Sequence, residues 1–378
     1  MAEIALRCAR EVIFGSGVRT QLGQQAALLG RRALIVTGRR ALRESGALGE
    51  LREILAGADV ASVAFSEVEA EPSLTTVERG RSVCRAEGCD LVVAAGGGSA
   101  LDVGKAVAAL VPLPDPVAYY FAGAQIPGQG LPCIALPTTS GTGAEVTPNA
   151  VLTDTATDTK ASIRGRALLP EIALVDPELT LSCPPDQTAW SGLDALTQAI
   201  ESLVSTGANP ISSLLAEEAI RRIAGSLRRA VADGSQLHAR EEMALGSLLA
   251  GLALASARLG LVHGLAHPLG ARYHLPHGLV CGALLPHVMQ YNLSTPAADQ
   301  FARVAVMLGV GESAQELVAW VRKLVRDLGA ELDFAAAGLC PEDFGAIIPP
   351  TLSSGSTRHN PRAVEEESLR ELLMTLLR

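Results

Sequence analysis

In the first half of the chain, short aliphatic runs alternate with longer stretches in which apolar positions recur every three or four residues. The runs are Arg32 to Thr37, Val60 to Phe65, Leu91 to Ala95, Pro132 to Leu136 and Ile172 to Val175. Apolar runs of this length, separated by amphipathic helical patterns, predict buried parallel strands joined by crossover helices. Past Asp176-Pro177 the pattern changes. Pro177 to Ser191 carries three prolines, and beyond it only helical periodicity is read: Ser191 to Val204, Pro210 to Ala230, Arg240 to Ala257, Ala298 to Leu308 and Ser313 to Leu328. The expected architecture is an α/β domain with a mainly parallel sheet over residues 1–178, followed by an all-α domain over residues 179–378. Ser353 to Pro361 reads as a polar surface loop before a final helix.

Composition narrows the classes. Hydrophobic residues make up 48% of the 378 positions but aromatics only 3%, which suits an α/β interior packed with small aliphatic side chains. A net charge of -9 without a stripe of Lys and Arg argues against a nucleic-acid partner. The seven cysteines (Cys8, Cys84, Cys89, Cys133, Cys183, Cys281 and Cys340) form no CxxC pair and read as reduced thiols. The opening MAEIALRCAREVIFGSG lacks the continuous apolar region of a signal peptide, so a cytoplasmic location is expected. The most membrane-like run, Met243 to Ala266, contains Arg258 and His263, and reads as core helix with no membrane partner.

Two loops carry candidate binding chemistry. Leu91 to Lys105 reads LVVAAGGGSALDVGK: a buried strand, then Gly97, Gly98 and Ser99, then a helix with Asp102 in its first turn. Glycines allow close backbone approach, and a helix N-terminus offers free N–H groups to a pyrophosphate, so a dinucleotide is the expected guest. A tight strand-to-helix turn is the structural alternative. After another buried strand, Pro137 to Gly143 supplies Thr138, Thr139 and Thr142, whose hydroxyls can bond phosphates or an amide without adding charge. Polar loops at the carboxyl ends of strands are where an open α/β sheet places its ligand. The early strand ends in Gly38, Arg39 and Arg40, with no carboxylate to repel a 2′-phosphate, which favours NADP(H) over NAD(H).

The remaining signal is histidine. Leu261 to Met289 holds five of the chain's seven histidines in an apolar stretch. His263 and His267 share a helix face, and His277 follows a Tyr-His-Leu-Pro turn that can fold it back towards them, an arrangement that collects a divalent metal.

GGGSALDVGK, PTTSGTGAEVT and VHGLAHPLGARYHLPHG together resemble the loop, threonine and histidine motifs of the iron-containing (group III) alcohol dehydrogenases, closest to the lactaldehyde reductase/propanediol oxidoreductase branch. The resemblance covers nearly the whole chain. It implies a dehydroquinate synthase-like two-domain architecture, with a dinucleotide domain, a helical domain and a metal in the cleft between them. It also implies a homodimer and hydride exchange between a nicotinamide and a primary alcohol or aldehyde.

Residue by residue, the resemblance puts the metal ligands at Asp194, Gln198, His263 and His277, Lys160 near the cofactor, and His267 beside the nicotinamide as a proton relay. Gln198 stands where the family carries histidine, and a neutral amide is a weaker ligand for Fe2+ or Zn2+. Three outcomes stay open: zinc held by Asp194, His263 and His277 alone, coordination through the Gln198 oxygen, or a site without tightly held metal, similar to the maleylacetate reductases. A dehydroquinate synthase-type lyase competes weakly, because the histidine segment offers only Arg272 to grip a phosphate. A nucleotide-binding protein with lapsed metal chemistry is the non-enzyme alternative.

Overall fold

The computed structural model describes Ile4, residues 6–157 and residues 159–377. The chain divides into two compact units, one of Arg7–Cys183 with Gly234–Ala244, the other chiefly of Pro184–Asp233 and Leu245–Arg378.

The first unit contains strands β1 (Glu11–Phe14), β2 (Arg32–Gly38), β3 (Ala61–Val68), β4 (Leu91–Gly96), β5 (Cys133–Pro137), β6 (Asn149–Asp154), β7 (Thr159–Arg164) and β8 (Ile172–Val175). Its helices are α1 (Leu22–Leu29), α2 (Ala41–Glu44), α3 (Ala47–Ala56), α4 (Leu74–Ala86), α5 (Gly98–Leu110) and α6 (Val117–Phe121). Six strands form a parallel sheet in the order β1-β8-β5-β4-β2-β3.

The sequence LVVAAG forms the central β4 because every residue in it is buried. Its alternate side chains serve two cores. Val92 and Ala94 pack with Leu34, Val36 and the α4 and α5 residues Val77, Leu101 and Val107, while Leu91, Val93 and Ala95 pack with Ile35, Leu22 and Leu51 from the other face. The chain passes from β2 outwards to β3, then returns to place β4 on the opposite side of β2. This reversal creates the topological switch point where such sheets bind ligands. The α/β reading therefore holds, with β1 and the antiparallel β6–β7 hairpin added to it.

The second unit is helical: α7 (Pro185–Val204), α8 (Pro210–Ala232), α9 (Leu237–Ala257, whose first turns belong to the first unit), α10 (Leu261–Tyr273), α11 (His277–Asn292), α12 (Ala297–Leu308), α13 (Ala314–Asp327), α14 (Phe344–Ser353) and α15 (Glu366–Thr375). Local chemistry sets several boundaries. Asn209 caps α8 by accepting from the amides of Ile211 and Ser212, with Pro210 in its first turn, and Ser313 with Glu316 closes a capping box on α13. The membrane-like run breaks after Ala257, where Arg258 takes a positive φ of 71°, and α9 and α10 are bent by 105°. Among the described residues no single helix is long and apolar enough to cross a membrane.

The expectation of a polar surface loop at Ser353 to Pro361 is corrected. Thr357 and Asn360 are buried, and Asn360 Oδ1 accepts from the Leu261 amide (3.2 Å) and from Asn292 (3.1 Å). The first N–H groups of a helix lack internal partners, so α10 draws a polar side chain inwards.

Candidate active site

Three helices of the second unit each bring two side chains one turn apart to a common point. Asp194 and Gln198 come from α7, His263 and His267 from α10, and His277 and Cys281 from α11. The turn between α10 and α11 forms because His274 adopts the left-handed conformation (φ 53°) at the end of α10 and Pro276 precedes His277. Helix α11 lies close against α7 because its contact positions are glycine. A methyl group at Gly278 would stand 2.3 Å from the Trp190 carbonyl oxygen, and one at Gly282 would stand 2.7 Å from the Leu193 side chain.

Asp194 Oδ1 lies 3.3 Å from His263 Nε2 and 3.9 Å from His277 Nε2, while Cys281 Sγ lies 3.5 Å from His277 Nε2. One donor atom from each of these four residues falls within 4.8 Å of the other three. His267 is half-buried, and its ring stacks on that of His277 with centroids 5.2 Å apart.

Behind His263, Glu201 places Oε2 2.6 Å from Nδ1, and its Oε1 accepts the Val262 amide at 2.6 Å. A proton held on Nδ1 by this carboxylate leaves the Nε2 lone pair facing Asp194. Two acceptors at 3.3 Å require something positive between them, either a proton or a metal ion. Burial disfavours an imidazolium at His263, but Cys281, Glu201 and Asp194 outweigh it and raise the pKa well above the ordinary value. Burial also opposes the Asp194 carboxylate, yet hydrogen bonding to His263 and the nearby His277 hold its pKa below normal. Burial pushes the Cys281 thiol up to about 11. Gln198 is buried, its amide bonds to Asp194, and its Oε1 has no hydrogen-bond partner. The donor set and the orphaned oxygen fit a divalent cation.

On the first unit, the two polar loops meet at the carboxyl ends of the neighbouring strands β4 and β5. Helix α5 begins at Gly98 with no side-chain cap; the Ala100 and Leu101 amides bond to Gly97 O, which leaves those of Gly98 and Ser99 to face an anion. A methyl group at Gly98 would lie 2.6 Å from Thr142 Cγ2, and the Thr138 amide bonds Gly96 O at 2.9 Å, which interlocks the glycine and threonine loops. Gly97, Gly98, Ser99, Thr138, Thr139 and Thr142 are all half-buried. Ser99 Oγ donates to Ala70 O at 2.5 Å. Gly38 ends β2 beside open space, and Arg39 and Arg40 are exposed; Arg39 Nε donates to Glu67 O at 3.2 Å.

Two expected cofactor residues have partners within the fold. Asp102 accepts the Val151 amide at 2.9 Å and pairs with the buried Lys105 at 3.0 Å. Lys160 is paired with Glu71 at 2.5 Å, while Asp158 of the same turn lies outside the described residues.

Residues 9–177 match the family model described as iron-containing alcohol dehydrogenase, and residues 188–377 match the C-terminal model of the same family. The chain belongs to the iron-containing alcohol dehydrogenase family. It is 38% identical to a 1,3-propanediol dehydrogenase of Klebsiella pneumoniae over 94% of each chain. It is 36% identical to a lactaldehyde reductase of Escherichia coli K12 over 96% of each. A crystal structure of a 1,3-propanediol oxidoreductase superimposes with a TM-score of 0.94 at 36% identity, covering 99% of this chain and 100% of that one. A sulfoacetaldehyde reductase of Bifidobacterium kashiwanohense, solved with NAD+, gives 0.92 at 30% identity over 100% and 99%. This dehydrogenase is accordingly a nicotinamide-dependent oxidoreductase of alcohols and aldehydes.

Within this family member, the reading of residues in sequence missed Glu201, Cys281 and Lys105. Glu201 repeats the Asp194 and Gln198 face one turn on, and Cys281 repeats the His277 face, so the helical spacing that selected the others would have found both. Arg272 is paired with Asp343, which also accepts from the Tyr273 hydroxyl at 2.7 Å, so the one cation offered for a phosphate grip has a structural partner. Replacing Glu201 by Gln is expected to weaken metal binding roughly 10- to 100-fold, because an outer carboxylate orients its histidine and raises its basicity. A chelator competition titration measures this, and wild-type affinity in the variant would remove Glu201 from the site.

Proposed function

We propose that the enzyme reduces small aldehydes to primary alcohols with NADP(H), the first unit serving as the dinucleotide-binding domain and the second as the metal domain. One observation carries the metal half: the buried Asp194 carboxylate lies 3.3 and 3.9 Å from two imidazole nitrogens, one of them braced from behind by Glu201. In this reading Asp194, His263 and His277 hold the ion, Zn2+ or Fe2+, with Gln198 beside it. When bound, the ion supplies electrophilic polarisation of the substrate oxygen and the nicotinamide supplies the hydride.

The chain's own residues position and shield. Glu201 fixes the orientation of His263, and the glycine contacts of α11 hold His277 against α7. His267, half-buried and stacked on His277, offers a ring nitrogen that takes up or returns the proton of the alcohol. Gly97, Gly98, Ser99, Thr138, Thr139 and Thr142 line the dinucleotide phosphates and amide, and Lys160 borders them. Support for the 2′-phosphate comes from Gly38, which leaves space, and from the exposed Arg39 and Arg40. Family membership supports a homodimer, and the seven free cysteines suit a reducing, cytoplasmic setting.

The test is steady-state aldehyde reduction with each cofactor. NADPH is expected to give the higher kcat/KM, and Arg39→Ala to reduce the preference about tenfold, the value of one charged hydrogen bond. Turnover with NADH alone would sink the cofactor assignment. Bound dinucleotide without turnover on any aldehyde, even after metal reconstitution, would sink the activity.

A further inference from the structure

We propose that Cys281 is a fourth protein ligand of the metal in this chain, as its thiolate. The proposal rests on the reading that Asp194, His263 and His277 hold an ion.

The argument begins with helical geometry. His277 and Cys281 are one turn apart on α11, as Asp194 and Gln198 are on α7, and the glycine contacts at 278 and 282 press the two helices together. The thiol is fully buried, lies 3.5 Å from His277 Nε2 and stands within 4.8 Å of the Asp194 and His263 donor atoms. In a tetrahedral zinc site with bonds of about 2.0–2.1 Å to N or O and about 2.3 Å to S, neighbouring ligand atoms are about 3.3 Å apart for O and N and about 3.5 Å for N and S. The Asp194–His263 and His277–Cys281 separations, 3.3 and 3.5 Å, match those edges. The Asp194–His277 separation is 3.9 Å, and none among the four donor atoms exceeds 4.8 Å.

Chemistry then separates Cys281 from its competitor. Gln198 offers a neutral amide oxygen, a weak donor, and its amide group already bonds to Asp194. Cys281 offers a soft anion. Ligation forms the metal–sulfur bond and releases the thiol proton to solvent, as metals do on binding cysteine. Asp194 and Cys281 then balance the two positive charges of the ion. A thiolate in the set favours zinc or cobalt over the harder magnesium and manganese.

The experiment replaces the native metal with Co2+ in the full-length protein and in Cys281→Ala. The wild type is expected to show both the visible ligand-field bands of a bound cobalt ion and a near-ultraviolet thiolate-to-cobalt charge-transfer band. In Cys281→Ala the second band is lost, the first is kept, and metal affinity falls by at least roughly 10- to 100-fold, since even losing a ligand's outer partner costs that much. X-ray absorption of the zinc-loaded wild type should show one sulfur at about 2.3 Å. Should the alanine variant fail to fold, by circular dichroism, the wild-type absorption data decide alone. Visible bands with no charge-transfer band, or a zinc shell without sulfur, would overturn the assignment of Cys281 and leave the three-ligand reading standing. A wild type that binds neither Co2+ nor Zn2+ would overturn both.

Discussion

Replacing Asp194 by Ala is expected to lower kcat/KM for aldehyde reduction on the order of 1000-fold, equivalent to about 4 kcal/mol of lost transition-state stabilisation. Asp194 is only 3% exposed, and its carboxylate lies 3.3 Å from His263 Nε2 and 3.9 Å from His277 Nε2. Without it, the ion loses its one carboxylate ligand, and metal content by elemental analysis should fall in step with activity. Dinucleotide binding, measured by quenching of NADPH fluorescence, should stay at the wild-type level because its loops belong to the other unit. A variant that keeps its metal and most of its activity would show that Asp194 is not a ligand.

The second large effect concerns stability. Lys105 is 1% exposed, and its ammonium pairs with Asp102 at 3.0 Å while donating to the carbonyls of Ala144 (2.9 Å) and Asn149 (2.5 Å). It thereby fixes α5, whose first turn is the candidate phosphate site, to the chain that follows the threonine loop. Lys105→Met removes the cation and leaves the Asp102 carboxylate buried with the Val151 amide as its remaining bond. Breaking one side of a buried ion pair costs about 3–5 kcal/mol. For a unit of this size that is roughly 6–20 °C in the melting temperature of the α/β unit. Thermal unfolding followed by circular dichroism measures it, and the Lys105→Met/Asp102→Asn double variant should recover part of the loss. A melting temperature within 2 °C of wild type, on the order of 1 kcal/mol or less, would remove this pair from the account of the fold.

Much of the fold could be read from the sequence because its strands are of the fully buried kind. Leu91 to Ala95 and Ile172 to Val175 have no polar face to obscure them. Strand β1 escaped because EVIF is four residues long and borders only β8. The candidate site was legible where side chains repeat on one helix face, as with His263 and His267. It was obscured where a polar residue inside an apolar helix, such as Glu201, has a partner on another helix.

Sequence alone determined the class of each unit and marked the glycine loop, the threonine loop and the segment from His263 to His277 as candidate binding chemistry. Those properties follow from local periodicity, turn chemistry and donor type, which are written in consecutive residues. Tertiary structure alone decided that Glu201 braces His263, that Asp102 is joined to Lys105 and β6, that Asn360 holds the start of α10, and that Cys281 lies within 4.8 Å of the Asp194, His263 and His277 donor atoms. The physical reason is common to all four. Each depends on how closely two elements distant in sequence approach, and in α7 and α11 that distance is set by the glycines at 278 and 282, whose missing side chains let the helices approach closely.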